Sequence, residues 1–333
     1  MKVLVTGGAG YIGATICSAL IDAGHTPVIL DSMVSGRCEF TKDRIFYEGD
    51  IADSALLARI MAEHADISCA IHCAALITVP ESVSDPYNYY RVNVGSSNEL
   101  FRGLVEHGVK RIIFSSSGSI YDDVPGYLVR EDAPLNPRSP YARTKFMMEM
   151  VLRDFTTAYD LKAIALRYFN PIGADPMLRT GLQQRLPSHI LGKLISVSTG
   201  LEPELKITGV DWDTRDGTAI KDYIHVWDIA QAHVAAVEKF EVAFEDGENY
   251  SVINLGSGNG VTVREIVAAF EKVIEREIPK SDAPPRDGDV PGAYANAEKA
   301  QRTLGWCTEK TIEDGIRDAL RWNRARAEVL GEQ

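Results

Sequence analysis

The sequence has few cysteines, no long apolar segment and no excess of positive charge, and each absence excludes a class of protein. Only 5 of the 333 residues are Cys, too few and too scattered for the disulfide framework of a small secreted domain. Cys69 and Cys73 lie within an apolar segment, where free thiols behave as small hydrophobic residues. We therefore predict neither disulfides nor a metal site. No apolar segment reaches the roughly 20 residues that cross a membrane.

Acidic residues outnumber basic ones. Lys and Arg total 35 against 47 Asp and Glu, which gives a formal net charge of −12. This charge argues against nucleic acid or an anionic membrane surface as a partner. Any phosphate-bearing ligand must then be held by backbone amides and a few well-placed cations. The first predicted strand begins at residue 2, which leaves no room for a signal peptide, so we expect a cytoplasmic protein.

The remaining composition is typical of a globular α/β protein. Hydrophobic residues make up 45% and charged residues 25%, and the length favours two coupled domains. Apolar strands alternate with helical segments, which predicts a parallel sheet covered by helices on both faces. We expect a Rossmann-type, doubly wound parallel sheet over residues 1–170. A smaller C-terminal α/β domain over 171–333 would bind the substrate, with 222–256 packing back onto the first domain.

The N-terminus combines a strand, a glycine-rich turn and a helix. The strand Lys2–Thr6 is followed by Gly7, Gly10 and Gly13 in a G-x-x-G-x-x-G spacing, and then by a helix to about Ala23. Glycines allow the backbone to approach a pyrophosphate closely, and the helix N-terminus supplies free amides and the positive end of a dipole. The pattern predicts a dinucleotide site.

An acidic residue ends the second predicted strand. Asp31 follows the glycines by about 20 residues, where a carboxylate suits the adenosine ribose hydroxyls and repels the 2′-phosphate of NADP. Arg37 is near enough to reach the site, but no Arg follows Asp31 directly. We therefore expect NAD.

Residues after the third, fourth and fifth strands are further candidates, because ligands of parallel sheets bind at the carboxyl ends of the strands. They are Asp50 and Ile51, then Ala74 and Ala75, and then Ser115, Ser116 and Ser117. Asp50 would accept a hydrogen bond from the adenine amino group, and the two alanines would leave room for the cofactor. Each residue also has an ordinary interpretation as a loop or helix-cap residue.

A predicted helix that begins at Ser139-Pro140 carries Tyr141 and Lys145. Ser is a good N-cap, and Pro is favoured at the first helical position. Residues four apart share one helix face, and a nearby cation lowers the pKa of a phenol. Tyr141 is therefore a candidate general base. Taken alone, the pattern is more typical of a surface helix; the other motifs reverse this interpretation.

Together these motifs resemble the extended short-chain dehydrogenase/reductase superfamily. The segments Leu166–Pro171, Lys221–Asp228 and Arg286–Asp289 narrow the resemblance to the nucleotide-sugar enzymes, and among them to the UDP-glucose 4-epimerases, from residue 2 to about 325. The resemblance implies NAD-dependent epimerisation at carbon 4 of a nucleotide-diphosphate hexose through a transient 4-keto sugar. The superfamily commonly forms homodimers through a four-helix bundle, and the predicted helices 88–107 and 141–159 suit this.

The resemblance also implies roles for individual residues. Tyr141 would take the proton of the sugar 4-hydroxyl, Lys145 would hold the nicotinamide ribose and lower the pKa of Tyr141, and Ser117 would hydrogen-bond near the reacting oxygen. The implied cofactor-binding residues are Gly7, Gly10, Tyr11, Ile12, Gly13, Asp31, Asp50, Ile51, Ala74, Ala75, Asn93, Ser115, Tyr141, Lys145 and Phe169. The implied substrate-binding residues are Ser117, Tyr141, Asn170, Arg185, Leu186, Lys221, Arg286 and Asp289.

Other activities on this scaffold stay open. Dehydratases of the superfamily carry an Asp-Glu pair after the equivalent of Ser117, which protonates the leaving hydroxyl. Here Gly118 and Ser119 follow, which favours an epimerase over a dehydratase or decarboxylase. A non-catalytic NAD-sensing protein is a further alternative; the presence of Ser117, Tyr141 and Lys145 together argues against it.

The departures from the epimerase pattern concern the substrate. Ile77 replaces a frequent Lys, Lys221 replaces an Arg that binds the diphosphate bidentately, and Thr208 replaces an aromatic residue beside uracil. Ala293, with Tyr294 next, occupies the place of a bulky Tyr in the sugar pocket, which would admit a group such as N-acetyl. The choices between UDP and dTDP, and among hexoses, stay open, and neutral drift explains these changes equally well.

Overall fold

The structure is a computed structural model that describes residues 1–185, 187, 189–244, 247–285 and 290–332. Its strands are β1 (Lys2–Thr6), β2 (Thr26–Asp31), β3 (Ile45–Glu48), β4 (Ile67–His72), β5 (Arg111–Ser117), β6 (Leu128–Val129), β7 (Lys162–Tyr168), β8 (Asn170–Ile172), β9 (Leu205–Thr208), β10 (Ile220–Lys221), β11 (Tyr223–His225), β12 (Tyr250–Leu255), β13 (Val261–Thr262), β14 (Lys280–Ala283) and β15 (Gly292–Ala295). Its α-helices are α1 (Tyr11–Asp22), α2 (Ser54–Glu63), α3 (Val79–Ser84), α4 (Pro86–Tyr89), α5 (Ser97–Glu106), α6 (Pro140–Ala158), α7 (Ile190–Ser198), α8 (Val226–Glu238), α9 (Val263–Ile274), α10 (Glu298–Leu304) and α11 (Ile312–Val329).

A seven-stranded parallel sheet is the centre of the fold. Its order is β3-β2-β1-β4-β5-β7-β12, and helices cover both faces. In β1, Val3 and Val5 pack into one apolar cluster with α1 and α8, whereas Leu4 packs into another with α2, α5 and α6. This alternation follows from the two-residue period of a strand, and the double coverage explains why the strands are apolar throughout. The Rossmann-type, doubly wound sheet predicted from the sequence is confirmed.

The order of the strands reverses between β1 and β4. Crossover connections on either side of this point leave a crevice at the carboxyl ends of these two strands, where such sheets bind ligands. The glycine-rich turn follows β1, and Ala74 and Ala75 follow β4 shortly after its last residue. Both predicted motifs therefore border the crevice.

Two strands from later in the chain, β11 and β12, pair with earlier strands in different ways. β12 pairs with β7 along its whole length and closes one side of the large sheet. β11 instead pairs with β8 in a separate two-stranded sheet. The small sheets β13-β10-β15-β6 and β14-β9 lie in the C-terminal half together with a third apolar cluster, which includes residues of α7, α9 and α11. No helix among the described residues is long and apolar enough to span a membrane.

The long helix predicted over residues 88–107 is interrupted. Between α4 and α5 the chain is a π-helix, Tyr90–Ser96. Here Asn93 bonds to both backbone groups of Leu76 and donates to Thr144 Oγ1 at 3.1 Å. A single π-helical turn shifts the helix face, and these bonds tie it to the loop after β4 and to α6.

Candidate active site

The start of α6 places the predicted Tyr and Lys against the edge of the sheet. Ser139 Oγ caps the helix by accepting from Ala142 N at 3.1 Å, with Pro140 at the first helical position, as predicted. Lys145 is only 4% exposed. Its Nζ donates to Ser115 O at 2.9 Å and lies 5.0 Å from the ring centroid of Phe114. The ammonium is thus fixed at the carboxyl end of β5.

The lowered pKa predicted for Tyr141 is wrong in direction. Burial raises the pKa of the Tyr141 phenol, and a hydrogen bond with Ser117 acts in the opposite direction. Burial also lowers the pKa of Lys145 to about 8, against the opposing charges of Cys73 and Glu149. Burial thus favours the neutral phenol of Tyr141, and it brings the pKa of Lys145 close to neutral pH while most of the ammonium stays protonated at pH 7.

The three serines after β5 have different partners. Ser115 Oγ bonds to Cys73 Sγ at 3.1 Å and to His233 Nε2 at 3.2 Å. Ser116 donates to Glu149. Ser117 Oγ donates to Ser119 Oγ at 2.9 Å and accepts from Ser119 N. Of the three serines, Ser117 is the one whose hydrogen bond lowers the pKa of Tyr141.

The glycine-rich turn is as compact as the sequence predicts. Gly7 has φ +71°, and a Cβ there would lie 2.7 Å from Ala74 N. A Cβ on Gly13 would lie 2.2 Å from Gly7 O, so no larger residue fits at either position. Gly10 is the N-cap of α1 and provides no side-chain cap, and the first turn holds no acidic residue. The free amides at this helix start are therefore suited to an anion.

The acidic residue after β2 supports this turn. Asp31 is 7% exposed, and its carboxylate accepts from Ala9 N at 3.0 Å and Met33 N at 2.9 Å. Burial raises the pKa of Asp31. A carboxylate has further lone pairs for ribose hydroxyls. Arg37, the cation near this position, lies 3.3 Å from Glu332, so its charge is partly balanced.

The contacts of the other predicted cofactor residues are with neighbouring parts of the protein. Asp50 is exposed, and its carboxylate accepts from Ala52 N at 2.8 Å. This contact is that of an ordinary loop residue, the alternative considered for Asp50 in the sequence. Ile51 is buried, and Ile12 packs against the main core cluster. Tyr11 OH donates to Gly173 O at 2.7 Å. These contacts hold the walls of the crevice in place.

Phe169, a predicted cofactor residue, stacks on Tyr121 with ring centroids 6.3 Å apart. The predicted substrate residues lie on several segments. Asn170 donates to Asp222 O from both its backbone N and its Nδ2. Lys221 lies on β10, paired with Ala293 of β15, and Arg185 is exposed on the wall of a cleft next to Tyr11. The predicted residues Leu186, Arg286 and Asp289 lie outside the described residues.

Comparison with known proteins identifies the family of this site. A model of the NAD dependent epimerase/dehydratase family matches residues 3–256. The chain belongs to this family. Its relatives include the UDP-glucose 4-epimerase of Azospirillum brasilense, 40% identical over 333 residues with coverage of 99% of this chain and 94% of the relative. That of Bacillus subtilis (strain 168) is 40% identical over 332 residues, covering 97% and 96%.

A solved structure of the family has nearly the same fold. The UDP-glucose-4-epimerase from Stenotrophomonas maltophila, crystallised with bound NAD and formylated UDP-arabinopyranose, has a TM-score of 0.91 to this chain at 37% identity. The match covers 98% of this chain and 99% of that one. The residues here fit the family's cofactor: a turn that only glycines can form, an uncapped helix N-terminus and a buried carboxylate after β2.

Sequence reasoning missed a buried network beneath the site. Glu149, one turn after Lys145, accepts from Arg167 Nε at 2.9 Å and from Arg167 Nη2 at 2.7 Å, and both side chains are at most 4% exposed. Arg167 Nη1 also donates to Tyr121 OH at 2.8 Å. The sequence does contain an indication of this network, because Glu149 follows Tyr141 and Lys145 on the same helix face at the same spacing of four residues. An acid there needs a buried partner.

Proposed function

We propose that this protein is an NAD-dependent 4-epimerase of a nucleotide-diphosphate hexose, of the UDP-glucose/UDP-galactose type. The observation that carries the proposal is the arrangement of Ser117, Tyr141 and Lys145 at the carboxyl end of β5, together with membership of the family. The relatives named above are UDP-glucose 4-epimerases along almost the whole chain. NAD, when bound, supplies the reversible redox step at carbon 4.

The chain's own residues supply binding and proton transfer in this proposal. The phenolate form of Tyr141 takes the proton of the 4-hydroxyl, and the phenol so formed later returns it to the oxygen of the 4-keto sugar. Ser117 holds that phenol by its hydrogen bond, and the Lys145 ammonium supplies positive charge at the same edge. The amides at the start of α1 hold the cofactor pyrophosphate, and Asp31 holds its adenosine ribose.

The nucleotide sugar is proposed to bind between the sheet edge and the C-terminal segments, with the domain division at about residue 170. Asn170, Arg185 and Lys221 are the described candidates for its diphosphate; Leu186, Arg286 and Asp289 are assigned from sequence alone. The register puts Ala293 opposite Lys221, so Ala293 and not Tyr294 shares the face of Lys221. A small residue there supports a pocket that accepts a 2-N-acetyl group as well as a hydroxyl.

A panel of nucleotide sugars tests the reaction. UDP-glucose, UDP-galactose, their 2-N-acetyl derivatives and dTDP-glucose are each incubated with purified protein without added reductant, and products are identified by proton NMR. Inversion at carbon 4 of at least one sugar is expected. A stable keto product or released carbon dioxide would establish the dehydratase or decarboxylase alternative, and no reaction with any sugar would overturn the proposal.

Replacement of Tyr141 by Phe separates catalysis from binding. The loss of the phenol oxygen removes the proton acceptor, so kcat should fall by about a hundredfold or more, while bound NAD is retained. Tyr159→Phe is the matched control, because Tyr159 is a half-exposed residue at the end of the same helix. Normal function of the Tyr141→Phe protein in cells would favour a non-catalytic NAD-sensing role.

The proposal extends to assembly and location. A homodimer through α4 to α6 is supported by apolar side chains left exposed there, among them Tyr87 at 76% and Met150 at 52%. A cytoplasmic location is supported by the cysteines, all of which are free thiols.

A further inference from the structure

Asp222 is the single residue between β10 and β11, and it is completely buried. Its Oδ1 accepts from Ser257 N at 2.9 Å and from Ser257 Oγ at 2.7 Å. Its Oδ2 accepts from Ala295 N at 3.0 Å. A buried carboxylate needs such donors, because burial without them costs several kcal/mol. This one binds the loop after β12 and the strand β15 to the same point.

The backbone of Asp222 holds a third segment. Its carbonyl accepts from Asn170 N at 3.0 Å and from Asn170 Nδ2 at 3.1 Å. The bonds fix the Asn170 side chain as well as its backbone. Asp222 therefore joins residues 170, 257 and 295, which are far apart in the sequence.

The packing around the carboxylate leaves no room for a side chain at position 256. A Cβ on Gly256 would lie 2.3 Å from Asp222 Oδ2 and 2.5 Å from Ala295 Cβ. The glycine at 256 thus allows the carboxylate to sit between β12 and β15. Ile220 N, two residues earlier, donates to Pro291 O at 2.7 Å, so the same short segment holds the start of β15.

We propose that Asp222 is a positioning residue for nucleotide-sugar binding, which sets the relative placement of Asn170, Lys221 and the strand carrying Ala293. The inference rests on the proposed function, since those three positions are its candidates for contact with the substrate. Asp222 acts through them and makes no contact with the sugar itself. Loss of its charge-assisted bonds should weaken substrate binding and leave cofactor binding unchanged.

Asp228 provides a matched control. It is also a buried Asp, 3% exposed, and its Oδ2 accepts from Glu309 N at 3.2 Å and Lys310 N at 3.0 Å. Burial raises the pKa of both carboxyls. The chemistry is therefore matched, but Asp228 ties the start of α8 to the segment before α11 and, among the candidate substrate residues that the structure describes, it hydrogen-bonds to none.

The test compares Asp222→Asn with Asp228→Asn in the NAD-loaded protein. We expect the Kd of UDP, measured by calorimetry, to rise about tenfold or more in Asp222→Asn, the size of the loss of one charge-assisted bond. The KM of the sugar should rise in parallel with kcat nearly unchanged. Bound NAD should stay at the wild-type level, and Asp228→Asn should bind UDP within about twofold of wild type.

Several outcomes would overturn the inference. They are an unchanged Kd in Asp222→Asn, an equal loss in Asp228→Asn, or a wild-type protein that does not bind UDP. If Asp222→Asn does not fold, Ser257→Ala removes one donor to the same carboxylate and should raise the Kd in the same direction by less; no change there overturns the inference. A wild-type protein that binds UDP but epimerises no sugar contradicts the proposed function alone, because the Kd comparison still decides the role of Asp222.

Discussion

Two single side chains, Ser117 and Tyr141, control the proton chemistry of the site. Burial disfavours the phenolate of Tyr141, and the Ser117 hydrogen bond is the contact that opposes this effect. The pKa of a general base matters because one pKa unit changes its ionised fraction about tenfold below the pKa. The reactivity of Tyr141 therefore depends on Ser117 more directly than the helix spacing of Tyr141 and Lys145 indicates.

Replacement of Ser117 by Ala should raise the pKa of Tyr141 further. The ionised fraction at pH 7 then falls, and kcat should fall by about tenfold for each unit of the rise. Because burial already raises the pKa of Tyr141 above its ordinary value near 10, kcat of both proteins should rise with pH between 7 and 9, with the variant below wild type by a constant factor. The ratio should recover only above the wild-type pKa. The pH dependence of kcat measures this.

Ser119→Ala is the control for that experiment, since it removes the hydroxyl to which Ser117 donates. It should lower kcat less than Ser117→Ala does. A kcat of Ser117→Ala equal to that of wild type between pH 7 and 9 would show that Ser117 does not set the pKa of Tyr141.

Among the elements, α6 depends on an ion pair that lies below its catalytic turn. Glu149 and Arg167 join α6 to β7, and Ser116 of β5 donates to the same carboxylate. An isolated charge in such a place is costly, so removal of one partner has a larger effect than loss of the pair.

Glu149→Gln should therefore destabilise the protein by about 3–5 kcal/mol, because it leaves the Arg167 guanidinium buried and uncompensated. Denaturant unfolding measures the change. Adding Arg167→Met should cost less than the sum of the two single changes. The control is Asp160→Asn, which breaks an exposed pair with Lys110 and should cost under about 1 kcal/mol. An equally small effect of Glu149→Gln would contradict a structural role for the pair.

Local pattern predicts the strands and helices well where one residue period decides the outcome. The runs around Val3 and Ile29 predict a sheet buried on both faces because their apolar residues are continuous. Asp222 and Asn170 could not be linked from the sequence, since their bond joins residues 52 apart. The π-helix at Asn93 was missed for the same reason: it depends on contacts with Leu76 and Thr144, which periodicity does not record.

At the scale of the whole molecule, buried neutral histidines determine part of the response to acid. Burial lowers the pKa of His72 to about 3 and of His233 to about 4. The unfolded chain protonates its histidines near pH 6.5, so it binds more protons than the folded protein below that pH. Stability is therefore lost as the pH falls from about 6.5 toward 4.

His233→Gln should reduce this loss. Each such histidine contributes up to about 1.4 kcal/mol per pH unit within that window, so the variant should show a shallower decline in unfolding free energy between pH 6.5 and 5. His107→Gln, at an exposed position, should leave the slope unchanged. Burial raises the pKa of Asp31 and Asp222, and these carboxyls favour the folded state as the pH falls, which is opposite to the effect of the histidines. Their contribution is the same in all three proteins, so the difference between the slopes reports on the histidine alone. Identical slopes in all three proteins would contradict the assignment.

The last prediction tests the proposed homodimer at the exposed face of α6. Met147 and Met150 are 39% and 52% exposed one helical turn apart, and α3 and α4, which pack against α6, expose Val83 at 64%. A charge at Met150 would be buried in an apolar interface and unpaired. Met150→Glu should therefore sediment as a monomer at concentrations where wild type sediments as a dimer. Met177→Glu places the same charge on a methionine that is 69% exposed in the loop between β8 and α7, and it should stay dimeric. A dimeric Met150→Glu would place the interface elsewhere, and a monomeric wild type would refute the dimer.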